Sequence, residues 1–149
     1  MPANSGQVAA PETARATARR FFTEPEWRAV EAVSARIIPS TETPGAREAE
    51  VVVFIDGMLA TYYASQQAAY REGLQRLSEL SRGRFGREFC DLQARDQDDL
   101  LALLASGEVP PWAAAAGFFE MVRIHTIEGF LSDPKYGGNR DRVGWSGLL

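Results

Sequence analysis

The chain has one cysteine, Cys90, and one histidine, His125, in 149 residues. Those two scarcities exclude whole classes of chemistry. No Cys/His zinc site can be assembled within one chain, no cysteine-ligated iron–sulfur cluster fits, and a C-x-x-C-H haem attachment is missing. An internal disulfide is impossible. So low a cysteine count suits an oxidising or a reducing compartment equally. No apolar run approaches the roughly 18 residues of a membrane span. Sustained alternation of apolar and polar residues, the mark of strands, is lacking, as is any internal repeat. Net positive charge is lacking too. A balance of −4 speaks against a nucleic-acid partner, which would favour a basic patch.

What remains is ordinary globular material, 45% hydrophobic and 24% charged. A chain of this length forms one domain and buries about 70% of its unfolded surface. The periodicity predicts an all-α fold, a single-domain helical bundle of about five helices over residues 22–149. Residues 1–21 read as an N-terminal arm, flexible or strapped across a partner, because they are rich in Ala, Thr and Arg and poor in large apolar residues. A transit peptide fits that composition less well. Arg19-Arg20-Phe21-Phe22 has the paired arginines of an export signal. Thr23-Glu24-Pro25-Glu26 then stands where an apolar stretch should begin, so the pair reads as the lead-in to a helix.

The first helix opens on a capping box, with Thr23 and Glu26 each satisfying the other's backbone N–H, and it stops before Pro39. Trp27, Val30, Ser34, Ile37 and Ile38 share its face. A second helix is expected over residues 46–63, with Val51, Phe54, Ile55, Met58 and Tyr62 inward and Val52 and Val53 elsewhere. A third covers residues 66–81, with Tyr70, Leu74 and Leu77 on one side. Arg82-Gly83-Arg84-Phe85-Gly86-Arg87 reads as a solvated loop, too short for an RNA-binding Arg/Gly segment. The fourth helix begins at Asp96, with Asp98 and Asp99 in its first turn and Gly107 as its stop. Calcium is excluded there, because Leu101 and Gly107 stand where an EF-hand loop needs Gly and Glu. The fifth runs from Pro110-Pro111-Trp112 to Leu131 and is apolar around most of its circumference. Such a helix is central to a bundle, or a partner covers its far side.

Chemistry-bearing residues are few. His125 has no Ser or Cys nucleophile in a recognisable motif and reads as structural or interfacial. Cys90 reads as a buried thiol, with an intersubunit disulfide as the sharper alternative. Gly137-Gly138 lacks the Lys-Ser/Thr of a phosphate loop. In Asp133-Pro134-Lys135-Tyr136-Gly137-Gly138-Asn139, Pro134 fixes one φ, the glycines admit φ values closed to other residues, and Asp133 and Asn139 can form Asx turns. The prediction is a rigid tail presenting Tyr136 and Trp145. Trp112, Tyr136 and Trp145 are either core aromatics or partner anchors.

Two segments together resemble the small subunit of gluconate 2-dehydrogenase-type complexes, the subunit 3 family. The first holds Phe22-Thr23-Glu24-Pro25-Glu26-Trp27, Ile37-Ile38-Pro39-Ser40, Pro44-Gly45-Ala46 and Phe54-Ile55-Asp56. The second holds Phe118-Phe119, Thr126-Ile127-Glu128-Gly129-Phe130, Asp133-Pro134, Tyr136-Gly137-Gly138-Asn139 and Gly144-Trp145. Their order and spacing over residues 22–145 carry the resemblance. It implies a non-catalytic subunit with no cofactor of its own, beside a large FAD-dependent dehydrogenase of the glucose–methanol–choline type. That enzyme would act on sugars, glycosides or sugar acids, often passing electrons to a cytochrome c subunit. FAD would belong to the large subunit, and the complex would be periplasmic. Small subunits of this family commonly carry a twin-arginine signal. The departure around Arg19-Arg20 implies a processed form, or a member that is not the export escort. The expected partner interface is Trp112, Phe118, Tyr136, Gly137, Gly138, Asn139 and Trp145, with no metal or catalytic residues in this chain. A stand-alone helical enzyme using carboxylates such as Asp56 or Glu128, and a transient folding chaperone, are the alternative readings.

Overall fold

The capping box fixes where the first helix starts. Glu26 N–H donates to Thr23 Oγ1 and Thr23 N–H donates to Glu26 Oε1. Helix α1 spans Glu24–Ile37 and ends as Ile38 N–H closes back on Ser34 O, just ahead of Pro39. A computed structural model describes residues 19–146, and the expected arm lies outside the described residues as far as residue 18.

Helix α2 is Val51–Ala60, shorter at both ends than expected. Residues 46–50 form a separate turn, and Glu50 sits in the left-handed region at φ 53. A β-carbon makes that conformation unfavourable. Tertiary contacts hold it, since Arg140 N–H donates to Ala49 O and the Arg140 guanidinium pairs with Glu50 at 3.0 Å. The inward face also differs. Val51, Val52, Phe54, Ile55 and Leu59 are buried, whereas Tyr62 lies beyond the helix and is 77% exposed. Neighbours pack against α2 from more than one side, so Val52 does not point to solvent.

Helix α3 is Gln67–Phe85 and buries Tyr70, Leu74 and Leu77 as expected. It runs on through Arg82-Gly83-Arg84-Phe85, which is helix and not loop. The stop is Gly86, at φ 72. A lone glycine costs a helix about 1 kcal/mol relative to Ala, too little to end one that is packed along its length. Helix α4 is Ala94–Ser106 and stops at Gly107, φ 77. It starts earlier than Asp96. Asp98 faces outward and binds Arg36 of α1 through both oxygens, at 2.8 and 3.0 Å.

Helix α5 is Ala115–Leu131, and α6 is Val143–Ser146. Pro110 and Pro111 do not open α5. The residue before each proline is kept from the α region, and Trp112 N–H instead closes a turn on Val109 O. Helix α5 touches every other helix of the bundle. It is the central helix that its all-round apolar character predicted, with one side left uncovered. Among the described residues there are no strands, so the all-α class stands.

Candidate functional site

The C-terminal turn closes the molecule on itself. Asp133 accepts from Lys135 N–H at 3.0 Å, the expected Asx turn, and Pro134–Tyr136 forms a single 3-10 turn. Gly137 takes φ 103. Gly138 is needed for closeness. A β-carbon there would lie 2.2 Å from the backbone oxygen of Gly129, far inside van der Waals contact. Asn139 does not make a local Asx turn. Its fully buried amide joins two segments, Nδ2 donating to Ser132 O at 2.8 Å and Oδ1 accepting from Gly144 N–H at 2.7 Å. Trp145 is half-buried and its indole N–H donates to Leu131 O, satisfying an orphan carbonyl at the end of α5.

Of the seven residues expected at a partner interface, the structure places Trp112 and Phe118 in the chain's own core, with their rings 5.8 Å apart. Gly138 and Asn139 are buried in the closure, and Gly137 packs against Val53. Tyr136 stays 42% exposed, with Lys135 Nζ over its ring.

The uncovered side of α5 is a surface that the sequence pattern did not single out. Ile124 (43% exposed), Ile127 (37%) and Leu131 (41%) fall at helical spacing on the side opposite Phe118, Val122, His125 and Gly129. Both faces are apolar, so periodicity could not tell inside from outside. The charged residues along this side are engaged within the chain. Glu120 pairs with Arg123, and Glu128 accepts from Tyr63 O–H at 2.9 Å.

The candidate catalytic groups all have structural work. Asp56 is buried, and its carboxylate accepts three backbone N–H groups, from Arg20 at 2.7 Å, Phe21 at 3.0 Å and Phe22 at 2.9 Å. Sequence reading missed this anchor. Its signal was a lone carboxylate in an otherwise apolar helix, which must find donors once buried. His125 lies between two tyrosine rings, Tyr63 at 4.7 Å and Tyr70 at 5.7 Å, both nearly parallel to it. Burial pushes its imidazole below the usual histidine range, against a smaller opposing pull from Glu128. Burial also raises the Tyr70 phenol far above its ordinary range. Tyr70 therefore keeps its proton, and its hydroxyl lies 2.9 Å from His125 Nδ1, a hydrogen bond whose direction is set by the tautomer of the ring.

Cys90 is free, half-buried, and lines a cavity of about 570 Å³ between α1 and α3. Burial raises its thiol, and Asp91 adds to that, so it is not an activated nucleophile. The three arginines around the cavity are paired, Arg28 with Glu24, Arg71 with Glu26 and Arg82 with Glu88. Among the described residues no three His, Cys, Asp or Glu side chains are grouped to hold a metal ion, and no helix is long and apolar enough to cross a membrane.

A small helical domain with a self-closing tail and one bare apolar helix face is built to sit beside other chains. The chain belongs to the family described as gluconate 2-dehydrogenase subunit 3, whose model it matches over residues 24–148. The family is that of a dehydrogenase subunit, so partner subunits are implied. Comparison with curated proteins yields no match, and neither does comparison with solved structures.

Proposed function

We propose that this chain is the non-catalytic small subunit of a periplasmic FAD-dependent dehydrogenase that oxidises a sugar, glycoside or sugar acid. Its partner is a large flavoprotein subunit of the glucose–methanol–choline type, which holds the FAD and the substrate, with a cytochrome c subunit as the electron acceptor. The small subunit stabilises the large one by removing apolar surface from water.

The observation that carries this reading is membership of the subunit 3 family along nearly the whole described chain. The burial of Asp56 and its engagement by three amides support it against a stand-alone enzyme built on that carboxylate. A general acid or base needs a free lone pair within reach of substrate. The test is purification of this chain under an affinity tag from its own cells. A yellow, stoichiometric complex should oxidise sugars while the isolated chain does not. Turnover by the isolated chain would sink the reading, as would the absence of any flavoprotein. Release of the chain once the flavoprotein has matured would make it a chaperone instead.

A further inference from the structure

We infer that the C-terminal segment over residues 138–146 is a latch with two states, and that its release joins residues 46–50 to α2 as one continuous helix. The closed state is the one observed. Residues 45–49 make a helical turn, with Ala49 N–H donating to Gly45 O at 3.0 Å. Glu50 ends that turn as a Schellman motif does. Its N–H donates to Arg47 O and the Val51 N–H donates to Ala46 O, both at 3.1 Å. The motif favours glycine at its left-handed position, where Glu50 stands at φ 53. Arg140 imposes this. Its N–H donates to Ala49 O at 3.1 Å, the carbonyl that Val53 N–H would use in an unbroken helix. Val53 N–H turns instead to Glu50 O at 3.0 Å. The latch is strained on its own side too. Asn139, Asp141 and Arg142 have φ of 48, 55 and 59, and Arg142 lacks the short polar side chain that eases such a backbone.

Residue preference pulls the other way. Ala46-Arg47-Glu48-Ala49-Glu50 is a run of strong helix formers leading straight into α2. With Arg140 gone, Ala49 O can accept from Val53 N–H, and Glu50 can return to right-handed backbone. Ala46 N–H then gives up Ile38 O, and the exposed residues 39–44 absorb the change of direction. The two arrangements compete for one atom, Ala49 O, so the joint is bistable and not gradually deformable. Opening uncovers Phe54, whose Cβ would lie 3.0 Å from a β-carbon at Gly138. It also frees the carbonyls of Leu131 and Ser132, which Trp145 and Asn139 now satisfy. Among the described residues the buried apolar core ends at Val122, so the tail can leave without emptying it. The latch belongs to the chain itself and stands apart from the small-subunit reading.

The experiment is nuclear magnetic resonance on the full chain, comparing wild type with Glu50→Gly and Asn139→Ala. Carbon chemical shifts report the backbone state of residues 46–53, and hydrogen exchange reports opening. In wild type the amides of Arg140 and Gly144 should exchange well before global unfolding. Those of Val51 and Val53 should stay protected, because they find new carbonyls in the longer helix. Glu50→Gly relieves the closed state, so exchange at Arg140 and Gly144 should slow about tenfold, the scale of a left-handed residue's steric cost. The pair with Arg140 that this variant gives up is solvent-facing on the arginine side and offsets little of the gain. Asn139→Ala removes both bonds of the buried amide. Residues 46–50 should then take helical carbon shifts, and the tail should become sensitive to protease. A released tail that leaves Glu50 with left-handed shifts overturns the joined helix, as does exchange of Val51 and Val53 together with Arg140. An Asn139→Ala chain that stays closed overturns the latch. If that variant failed to fold, Glu50→Gly would carry the comparison, and unchanged exchange at Arg140 and Gly144 would overturn the latch.

Discussion

Replacing Asp56 by Asn tests the most demanding polar arrangement in the fold. The carboxylate is almost fully buried and bonds the amides of Arg20, Phe21 and Phe22 at 2.7–3.0 Å. Hydrogen bonds to a charged group contribute about 1.5–3 kcal/mol each. The three do not simply add, because the segment can peel away and rehydrate its amides. Peeling has its own cost. Phe22 leaves the core, losing about 1.5–3 kcal/mol of burial, and the Arg71 guanidinium leaves the Phe21 ring, over which it lies at 4.2 Å. Asparagine keeps one acceptor oxygen but turns an N–H₂ toward the amides. The expected loss is therefore about 3 kcal/mol, within the range for breaking a buried charged network. For a chain of this size that lowers Tm by about 10 °C. Urea and thermal unfolding followed by circular dichroism measure the loss, and hydrogen exchange should show the amides of residues 20–22 opening first. A loss below about 1 kcal/mol, with those amides still protected, would refute the anchor. It would also reopen a chemical role for Asp56.

Gly138→Ala should force the C-terminal turn off α5, since the new methyl would meet Gly129 O at 2.2 Å. The expected cost is about 3 kcal/mol or more, and limited proteolysis should cut the tail while α1 to α5 stay intact. His125 makes stability depend on pH. Its folded pKa lies below the unfolded value of about 6.5, so the unfolded chain binds more protons and the stability is fully present above that pH. It is lost as pH falls through about 6.5 toward the folded pKa. Unfolding midpoints at pH 7.5 and 5.5 should show this fall in wild type, and His125→Gln should flatten it. An equal fall in both would refute the assignment of a neutral buried ring.

Features governed by near neighbours were legible in the sequence. The Thr23–Glu26 capping box, the stop before Pro39, the Gly107 stop, the Asp133 Asx turn and the Tyr70–Leu74–Leu77 face each depend on residues a few positions apart, and local chemistry settles them. The family resemblance was legible for a related reason, because its order of turns and aromatics is linear. What distant segments decide could not be read. Glu50 is left-handed because Arg140 holds it, and this splits one expected helix into a turn and α2. Asn139 reaches Ser132 and Gly144, so the turn that looked like a docking loop is largely a clasp on the chain's own body. Asp56 is an anchor only because residues 20–22 come back to it. The clearest case is α5. Its sequence determined that an apolar helix must be covered nearly all round. Only the packing of the other helices decided that Phe118, Val122 and Gly129 face inward and Ile124, Ile127 and Leu131 are left bare. Periodicity carries direction only when one face is polar, and here the choice of face came from what the rest of the chain could reach.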